Sequence, residues 1–379
     1  MMALELQSAE LAPLVAQALD KTNLEVLDWR VISLGAQGSK TVDIGEGVWR
    51  ISGTAQDGGG VHPWSLIRKG LHASDAFNAR DPGSWNYWKR EALAFQSGLL
   101  AGLPGALKAP RCYAVEEEGD ERVWLWLEDI QESVGSWTMA HYGLAARHLG
   151  QFNGAYLSGF PLPKVEPWLS CGRIRAWLPA LQPWIARSAR YVHTPVVQGL
   201  FPGETLARMQ RLWTDTESLL HAFERLPVCF CHHDAFRRNL LARRTVVGED
   251  ETVAIDWALT GFGRVGEEAG VTTVMTADFT DNPANQVRVL AQVVFAGYVE
   301  GLRAAGWRGD ERLVRLAYTL NAALLATVGA FILAGMLQPP EQIEAALWRP
   351  WDEHLEHGAQ TLPFFLDLGD EAYALAAAT

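Results

Sequence analysis

The feature of this 379-residue sequence that most limits its fold is a polar motif and a separate aspartate, each directly after a short predicted strand. The motif runs from His232 to Asn239 in the form His-x-Asp-x-x-x-x-Asn, and the aspartate is Asp256, which follows the predicted strand 252–255. A loop of this length can bring Asp234 and Asn239 to one point, and a neighbouring hairpin arm can deliver Asp256 there. The sequence therefore predicts a site built from two carboxylates and an amide.

These side chains suit the chemistry of phosphoryl transfer. That reaction needs a carboxylate that orients the acceptor and takes its proton, and oxygen ligands for the Mg²⁺ that bridges the nucleotide phosphates. Asp234 fits the first role, and Asn239 and Asp256 fit the second because Mg²⁺ prefers hard oxygen donors. We therefore expect ATP as the phosphoryl donor and Mg²⁺ as the cofactor.

The same motif resembles the catalytic loop of aminoglycoside phosphotransferases and choline kinases, the small-molecule branch of the protein-kinase-like fold. The resemblance spans about residues 30 to 270. It implies that Asp234 and His232 form the catalytic pair and that Asn239 and Asp256 bind metal. We interpret His232 as a brace of the loop by hydrogen bonds, in preference to a second base.

The glycine loop that begins at Gly35 resembles the loop that covers the nucleotide phosphates in this family. It implies that Gly35, Gly38 and Ser39 contact the nucleotide. Two other interpretations stay open for this segment: an ordinary turn, and a P-loop. The P-loop is disfavoured because Ser39 precedes Lys40, whereas that motif ends in Gly-Lys followed by Ser or Thr.

Further parts of the nucleotide site occur in the family's order. Lys69, on the third predicted strand, resembles the lysine that pairs with the phosphates, and Glu91 resembles the helix glutamate that holds it. Arg68 is adjacent to Lys69, and a register slip of one residue would exchange the faces on which the two lie. Leu127 and Glu128 belong to a segment that resembles the hinge whose backbone binds adenine.

The order of elements predicts an α+β, protein-kinase-like fold with two lobes. Residues 1–129 read as an N-lobe of about five antiparallel strands with a helix near 85–100. Residues 130–379 read as a helical C-lobe, with helical patterns at 142–157 and 285–335.

Composition limits the classes of binding partner and the cellular setting that we expect for this protein. The net charge is −12 and no basic run occurs, so we expect no nucleic-acid partner, because that affinity depends on clustered Lys and Arg. Residues 1–20 lack the pattern of a signal peptide, and the four cysteines do not form a disulfide framework, which favours a reduced, cytoplasmic setting. The apolar run 320–337 is long enough to cross a membrane, but we interpret it as a buried C-lobe helix. The sequence does not indicate an oligomeric state.

A zinc site is an alternative use of Cys229, Cys231, His232 and His233. Structural zinc needs four converging ligands, and no second Cys/His pair of suitable spacing occurs in the sequence. Strand alternation instead predicts that Cys229 and Cys231 are small apolar side chains on one face.

Four charged residues near the motif have two open interpretations each. Arg237 and Arg238 either clamp phosphate or lie in solvent. Glu267 and Glu268 either cap the following helix, which we favour, or line the acceptor site.

We predict O-phosphorylation of an aminoglycoside, amino alcohol or sugar. Phe236 stands where protein kinases place a lysine, and no Ala-Pro-Glu activation segment follows Asp256. A protein kinase is therefore the weaker alternative, and a nucleotide-binding pseudokinase without transfer activity is another. His233 is a departure from the family, which often has Gly or Asn there.

Overall fold

The computed structural model describes residues 6–35, 45–280, 282–335 and 350–378. It confirms the predicted α+β fold with two lobes, a sheet-bearing N-lobe followed by a mainly helical C-lobe. The division at residue 129 stays a prediction. The strands of the N-terminal part are β1 (Glu25–Gly35), β2 (Gly45–Asp57), β3 (Gly60–His72), β4 (Leu107–Lys108), β5 (Cys112–Glu118) and β6 (Arg122–Glu128), and its helices are α1 (Ser8–Ala18) and α2 (Arg90–Gln96).

Five of these strands form one antiparallel sheet in the order β1-β2-β3-β6-β5. Apolar side chains alternate between its two faces, as the period of two requires. Leu66 and Trp126 lie on the face covered by α1, whereas Leu71 and Leu125 lie on the face near α2. The sheet is therefore covered by a helix on both sides, and its α2 face turns toward the C-lobe.

Helix α2 is shorter than the predicted helix of residues 85–100. The chain before it forms turns, and the carbonyl oxygens of Ser84 and Trp85 accept hydrogen bonds from the Arg90 guanidinium at 2.5 and 2.6 Å. The Ser84 carbonyl also accepts the N–H of Tyr87 at 3.2 Å, a hydrogen bond of a turn and not of an α-helix. After α2, Gly98 has φ +77°, a conformation that ends helices.

The C-lobe is built from helices around two small sheets. Its helices are α3 (Met139–Tyr156), α4 (Arg173–Ser188), α5 (Pro195–Leu200), α6 (Gly203–Thr214), α7 (Thr216–Glu224), α8 (Glu267–Phe279), α9 (Val287–Ala304), α10 (Glu311–Gly335) and α11 (Trp351–Ala377). Its strands are β7 (Ser170–Cys171), β8 (Val228–Cys231), β9 (Leu240–Arg244), β10 (Asp250–Ala254) and β11 (Gly261–Arg264). The sheets have the orders β4-β10-β9 and β7-β11-β8, so β4 joins the N-terminal part to the hairpin of β9 and β10.

Close packing of α3 and α9 supports the floor of the site. A Cβ atom at Gly150 would lie 2.1 Å from the carbonyl oxygen of Tyr298, so only glycine fits at this position of α3. This approach lets the Tyr298 hydroxyl donate to Asn153 Oδ1 at 2.7 Å. Asn153 in turn donates to the Phe230 carbonyl of β8 at 2.8 Å, so two helices hold the strand that leads into the catalytic loop.

Helix α10 contains most of the long apolar run. It is long and apolar enough to cross a membrane, but 83% of its apolar window is buried inside the protein, against α4, α8 and α11. This confirms the interpretation as a core helix for the part up to Gly335. Residues 336 and 337 lie outside the described residues.

Candidate active site

The His232 side chain joins the catalytic loop to the end of β10. Its Nδ1 atom accepts a hydrogen bond from the backbone N–H of Asp234 at 3.1 Å, and its Nε2 atom lies 2.9 Å from the carbonyl oxygen of Ile255. The ring also packs edge-on against Trp257, with centroids 4.5 Å apart. Burial lowers its pKa to about 4, so the ring is neutral and donates through Nε2. Both nitrogens are used by backbone, which is the geometry of a brace.

His233 occupies a position with unusual backbone geometry. Its φ is +67°, in the left-handed region that glycine and asparagine enter at the least steric cost. The family's frequent Gly or Asn at this position therefore has a conformational reason, and His233 adopts the same conformation under strain. Its ring is fully buried and its Nε2 atom lies 3.2 Å from the Phe262 carbonyl oxygen.

The carboxylate of Asp234 is held by two side chains. Its Oδ2 atom accepts from Asn239 Nδ2 at 2.7 Å, and its Oδ1 atom accepts from Arg173 Nη1 at 2.5 Å. The Asp234 side chain is 19% exposed, so part of it stays accessible to solvent. Because the Asn239 amide nitrogen is used on Asp234, its oxygen is the atom that can bind a cation.

A lysine and two carboxylates form an ion cluster between the sheet and the C-lobe. Lys69 Nζ lies 2.6 Å from Glu91 Oε2 and 2.9 Å from Asp256 Oδ1. Burial disfavours the charged amine, but Asp256 and Glu91 outweigh it and raise the pKa of Lys69. Burial also raises the pKa of Glu91, whereas at Asp256 the charge of Lys69 outweighs burial and lowers the pKa. The cluster therefore carries a charged lysine and an ionised Asp256.

The register of β3 decides between the two adjacent basic residues. Lys69 lies on the α2 face, whereas the Arg68 guanidinium lies over the Trp124 ring at 4.1 Å and the Trp126 ring at 4.9 Å, on the opposite face. This is the alternation of a pleated strand. Lys69 is thus the basic side chain that faces the cleft.

Asp256 has a strained backbone that its neighbours hold in place. Its φ is +62°, and such a conformation persists where the surroundings over-determine it. On one side His232 bonds to the carbonyl of Ile255, and on the other the Trp257 N–H donates to Glu91 Oε1 at 3.3 Å. The Asp256 carboxylate contacts Lys69 and remains 31% exposed.

Arg90 is a fully buried cation that links α2 to the C-lobe. Besides the two carbonyls before α2, its guanidinium donates to the carbonyl oxygens of Trp168 at 2.6 Å and Ala258 at 2.9 Å. Burial lowers its pKa to about 10, which leaves it charged at neutral pH. Arg90 and Glu91 therefore hold the segment around Asp256 from the same helix.

Glu267 and Glu268 lie in the first turn of α8, where acidic side chains favour a helix N-terminus as expected, but their carboxylates accept hydrogen bonds from N–H groups outside that helix. Glu268 Oε1 accepts the backbone N–H groups of His232 at 2.6 Å and His233 at 2.9 Å. Glu267 accepts the N–H of Arg173 at 2.9 Å with one oxygen and that of Arg264 at 2.9 Å with the other. Both side chains are fully buried, and burial raises the pKa of Glu268 to about 7. Glu268 therefore holds the start of the loop that contains Asp234, and Glu267 holds the start of α4.

Some backbone groups of the predicted adenine-binding hinge are already hydrogen-bonded within the N-lobe sheet. The N–H of Glu128 donates to the Arg111 carbonyl at 2.8 Å, and Leu127 pairs with Ile67 and Cys112 in the sheet. The Glu128 carboxylate accepts from Arg243 of β9 at 3.0 Å, which ties the hinge to the C-lobe.

The glycine loop is described only at its start. Gly35 is the last residue of β1 and has φ +78°, a conformation that favours glycine. Gly38 and Ser39, and with them the turn and P-loop alternatives, lie outside the described residues.

The other motif residues have structural partners. Arg237 pairs with Glu132 at 3.0 Å and lies over the Trp137 ring at 4.7 Å, and Arg238 is half-buried. Cys229 and Cys231 are buried free thiols with sulfurs 3.6 Å apart.

Within the described ranges, no group of three His, Cys, Asp or Glu side chains is placed to hold a metal. That finding does not argue against Mg²⁺, which commonly takes one or two carboxylates together with substrate phosphates.

The site thus has the layout of a kinase: a strand lysine held by a helix glutamate, an aspartate opposite that lysine, and a braced loop in the helical lobe. The chain belongs to the phosphotransferase enzyme family (APH), whose model matches residues 81–307. It is a phosphotransferase.

The chain is similar to several solved structures at low sequence identity. A microcompartment-associated aminopropanol kinase has TM-score 0.52 at 14% identity, covering 95% of this chain and 98% of its own. A Plasmodium vivax ethanolamine kinase has TM-score 0.49 at 12% identity, with 92% of this chain and 82% of that chain covered. Spectinomycin phosphotransferase in complex with ADP and spectinomycin has TM-score 0.47 at 12% identity, with 96% and 99% covered. No curated protein matches the sequence significantly.

The buried histidines predict loss of stability in mild acid. Burial lowers the pKa of His148 and His232 to about 4 and that of His233 to about 3, below the roughly 6.5 of an unfolded histidine. The unfolded chain therefore binds more protons between these values, and stability falls as pH falls from about 6.5. Burial raises the pKa of Glu91, Glu267 and Glu268, and these carboxyls have the opposite sign, since their contribution is lost as pH rises through the folded pKa, which is about 7 for Glu268. Substitution of a single histidine therefore isolates the histidine part of the slope.

We expect the melting temperature to fall between pH 7 and pH 5, as measured by circular dichroism. His148→Gln should make this fall shallower, by up to about 1.4 kcal/mol of unfolding free energy per pH unit. The matched control is His193→Gln, because His193 is exposed and should leave the slope unchanged. An identical slope in the His148 variant would contradict the assignment.

Proposed function

We propose that this enzyme transfers the γ-phosphoryl group of ATP, bound with Mg²⁺, to a hydroxyl group of an aminoglycoside, amino alcohol or sugar. The observation that carries the proposal is the position of His232, whose two ring nitrogens contact the backbone at Asp234 and next to Asp256. One imidazole thus sets the spacing of the two carboxylates that phosphoryl transfer requires.

Each side chain has a proposed role. Asp234 orients the acceptor hydroxyl and takes its proton, and Lys69, held by Glu91, contacts the nucleotide phosphates. Asp256 and the amide oxygen of Asn239 would hold Mg²⁺. Their hard oxygen donors and the open side of the Asp256 carboxylate fit that ion. When bound, Mg²⁺ neutralises negative charge on the phosphates.

The adenine and the outer phosphates are assigned to the hinge and the glycine loop. We propose that backbone atoms at Leu127 and Glu128 contact adenine. Because the Glu128 N–H is used by Arg111, Glu128 would contribute its carbonyl oxygen. Gly35, Gly38 and Ser39 complete the nucleotide site in this proposal. We place the enzyme in the cytoplasm, where ATP is abundant and thiols such as its four cysteines stay reduced.

The test is transfer of radiolabelled γ-phosphate from ATP across a panel of aminoglycosides, choline-like amino alcohols and sugars, with and without EDTA. We expect a labelled small-molecule product that EDTA abolishes. Nucleotide binding without transfer to any panel member would support a pseudokinase instead. Label in casein or histone, with none in the panel, would support a protein kinase.

A further inference from the structure

Arg173 is a buried arginine that binds the proposed catalytic carboxylate from a distant part of the chain. It is the first residue of α4, and its side chain is 1% exposed. Its Nη1 atom donates to Asp234 Oδ1 at 2.5 Å and also to the carbonyl oxygen of His233. Its backbone N–H is held by Glu267 at 2.9 Å. One guanidinium nitrogen therefore binds both the side chain of Asp234 and the peptide that precedes it.

The remaining donors of Arg173 are poorly satisfied. Nε has no hydrogen-bond partner in the part of the chain that the structure describes, and Nη2 contacts the Met275 sulfur at 3.7 Å. The guanidinium lies 4.2 Å from the centre of the Trp177 ring. A buried cation with unpaired donors is costly, and a buried ion pair is weak evidence for a stabilising role. The arrangement is therefore better explained by what Arg173 does to Asp234.

The two partners of Asp234 restrict different motions. Asn239 belongs to the same loop and binds Oδ2, so it moves with the loop. Arg173 belongs to α4 and binds Oδ1, so it fixes the carboxylate relative to the rest of the C-lobe. With both oxygens held by groups on separate elements, the plane of the carboxylate is set before an acceptor arrives.

We propose that Arg173 is a positioning residue for phosphoryl transfer: it fixes the Asp234 carboxylate in the orientation that receives the acceptor hydroxyl. The proposal rests on the proposed function above. It assigns to α4 a part in the reaction step, separate from nucleotide binding by Lys69, Glu91 and Asp256. Loss of Arg173 should therefore affect kcat and leave the nucleotide site intact.

The experiment compares Arg173→Met and Arg173→Lys, with Arg175→Met as the matched control. Arg175 lies on the same helix but pairs with Glu217 and Glu224 at the surface. Transfer is measured from ATP to the panel alcohol that gives the highest rate. We expect kcat to fall roughly 100-fold in Arg173→Met, as for a small misplacement of a catalytic group, with KM for ATP changed less than about threefold. Arg173→Lys should recover part of kcat, and Arg175→Met should match wild type.

A double variant separates positioning from general damage to the fold. If Arg173 acts only through Asp234, Arg173→Met should cause no further loss in an Asp234→Asn background. Wild-type kcat in Arg173→Met, or a full additional loss in the double variant, would overturn the proposal. If Arg173→Met does not fold, Arg173→Lys must still show reduced kcat at unchanged KM for ATP. Wild-type turnover in Asp234→Asn would instead overturn the proposed function itself.

Discussion

Asp234→Asn should lower turnover by about 1,000-fold or more while the affinity for ATP stays close to that of wild type. The variant removes the proposed proton acceptor but keeps the size of the side chain. It also places an amide nitrogen where both partners, Arg173 and Asn239, are donors, so at least one hydrogen bond to this side chain is lost. The nucleotide phosphates are assigned to Lys69 and Asp256, which this change does not touch.

The measurement is single-turnover transfer from ATP, with nucleotide affinity determined separately by titration of a fluorescent ATP analogue. Asp310→Asn is the matched control, since Asp310 pairs with Arg312 at the surface far along the chain from the loop. The control should match wild type in both assays. Turnover of the Asp234 variant within tenfold of wild type would exclude Asp234 as the base.

Asp256→Asn should act on nucleotide binding itself, because it removes one of the two proposed metal ligands and the charge opposite Lys69. We expect the affinity for ATP in the presence of Mg²⁺ to fall about 100-fold, equivalent to about 2.7 kcal/mol, and turnover to be lost with it. In EDTA the variant should bind ATP at least as well as wild type, because Lys69 is released from one carboxylate and can meet the phosphates.

Titration of the fluorescent ATP analogue in Mg²⁺ and in EDTA, side by side, tests this directly. Added Mg²⁺ should strengthen binding to wild type and to the Asp310→Asn control, but not to Asp256→Asn. Equal strengthening by Mg²⁺ in all three proteins would show that Asp256 does not hold the ion. A weaker affinity in EDTA as well would point to damage of the phosphate site instead of loss of the ion.

Residues that are close in sequence or follow a simple period were predictable. Asp234 and Asn239 share a loop, so their spacing alone indicated that they meet. In the structure, Asn239 Nδ2 lies 2.7 Å from Asp234 Oδ2. Strand alternation allowed either Lys69 or Arg68 to face the cleft. The choice depends on β3 pairing with its neighbours, which a local pattern does not contain.

Residues that reach the site through tertiary packing could not be predicted. Arg173 begins an ordinary helix and is 61 positions from Asp234, so no motif connects them. Glu267 and Glu268 had the pattern of helix-capping acids, but α8 begins directly under the catalytic loop. Their carboxylates therefore bind N–H groups of other segments. The turns before α2 were missed because the side chain of Arg90 also binds the carbonyls of Ser84 and Trp85, a contribution that the helical pattern of residues 85–100 does not contain.

The anchoring of α2 by Arg90 bears on how activity can be controlled. An outward rotation of α2 would separate Lys69 from Glu91 and would remove the buried Arg90 guanidinium from the carbonyl oxygens of Trp168 and Ala258. Leaving a buried charge without its partners costs about 3 kcal/mol or more, so roughly 1% of molecules or fewer would adopt the rotated conformation. We therefore expect the arrangement in which Glu91 holds Lys69 to predominate in the free protein.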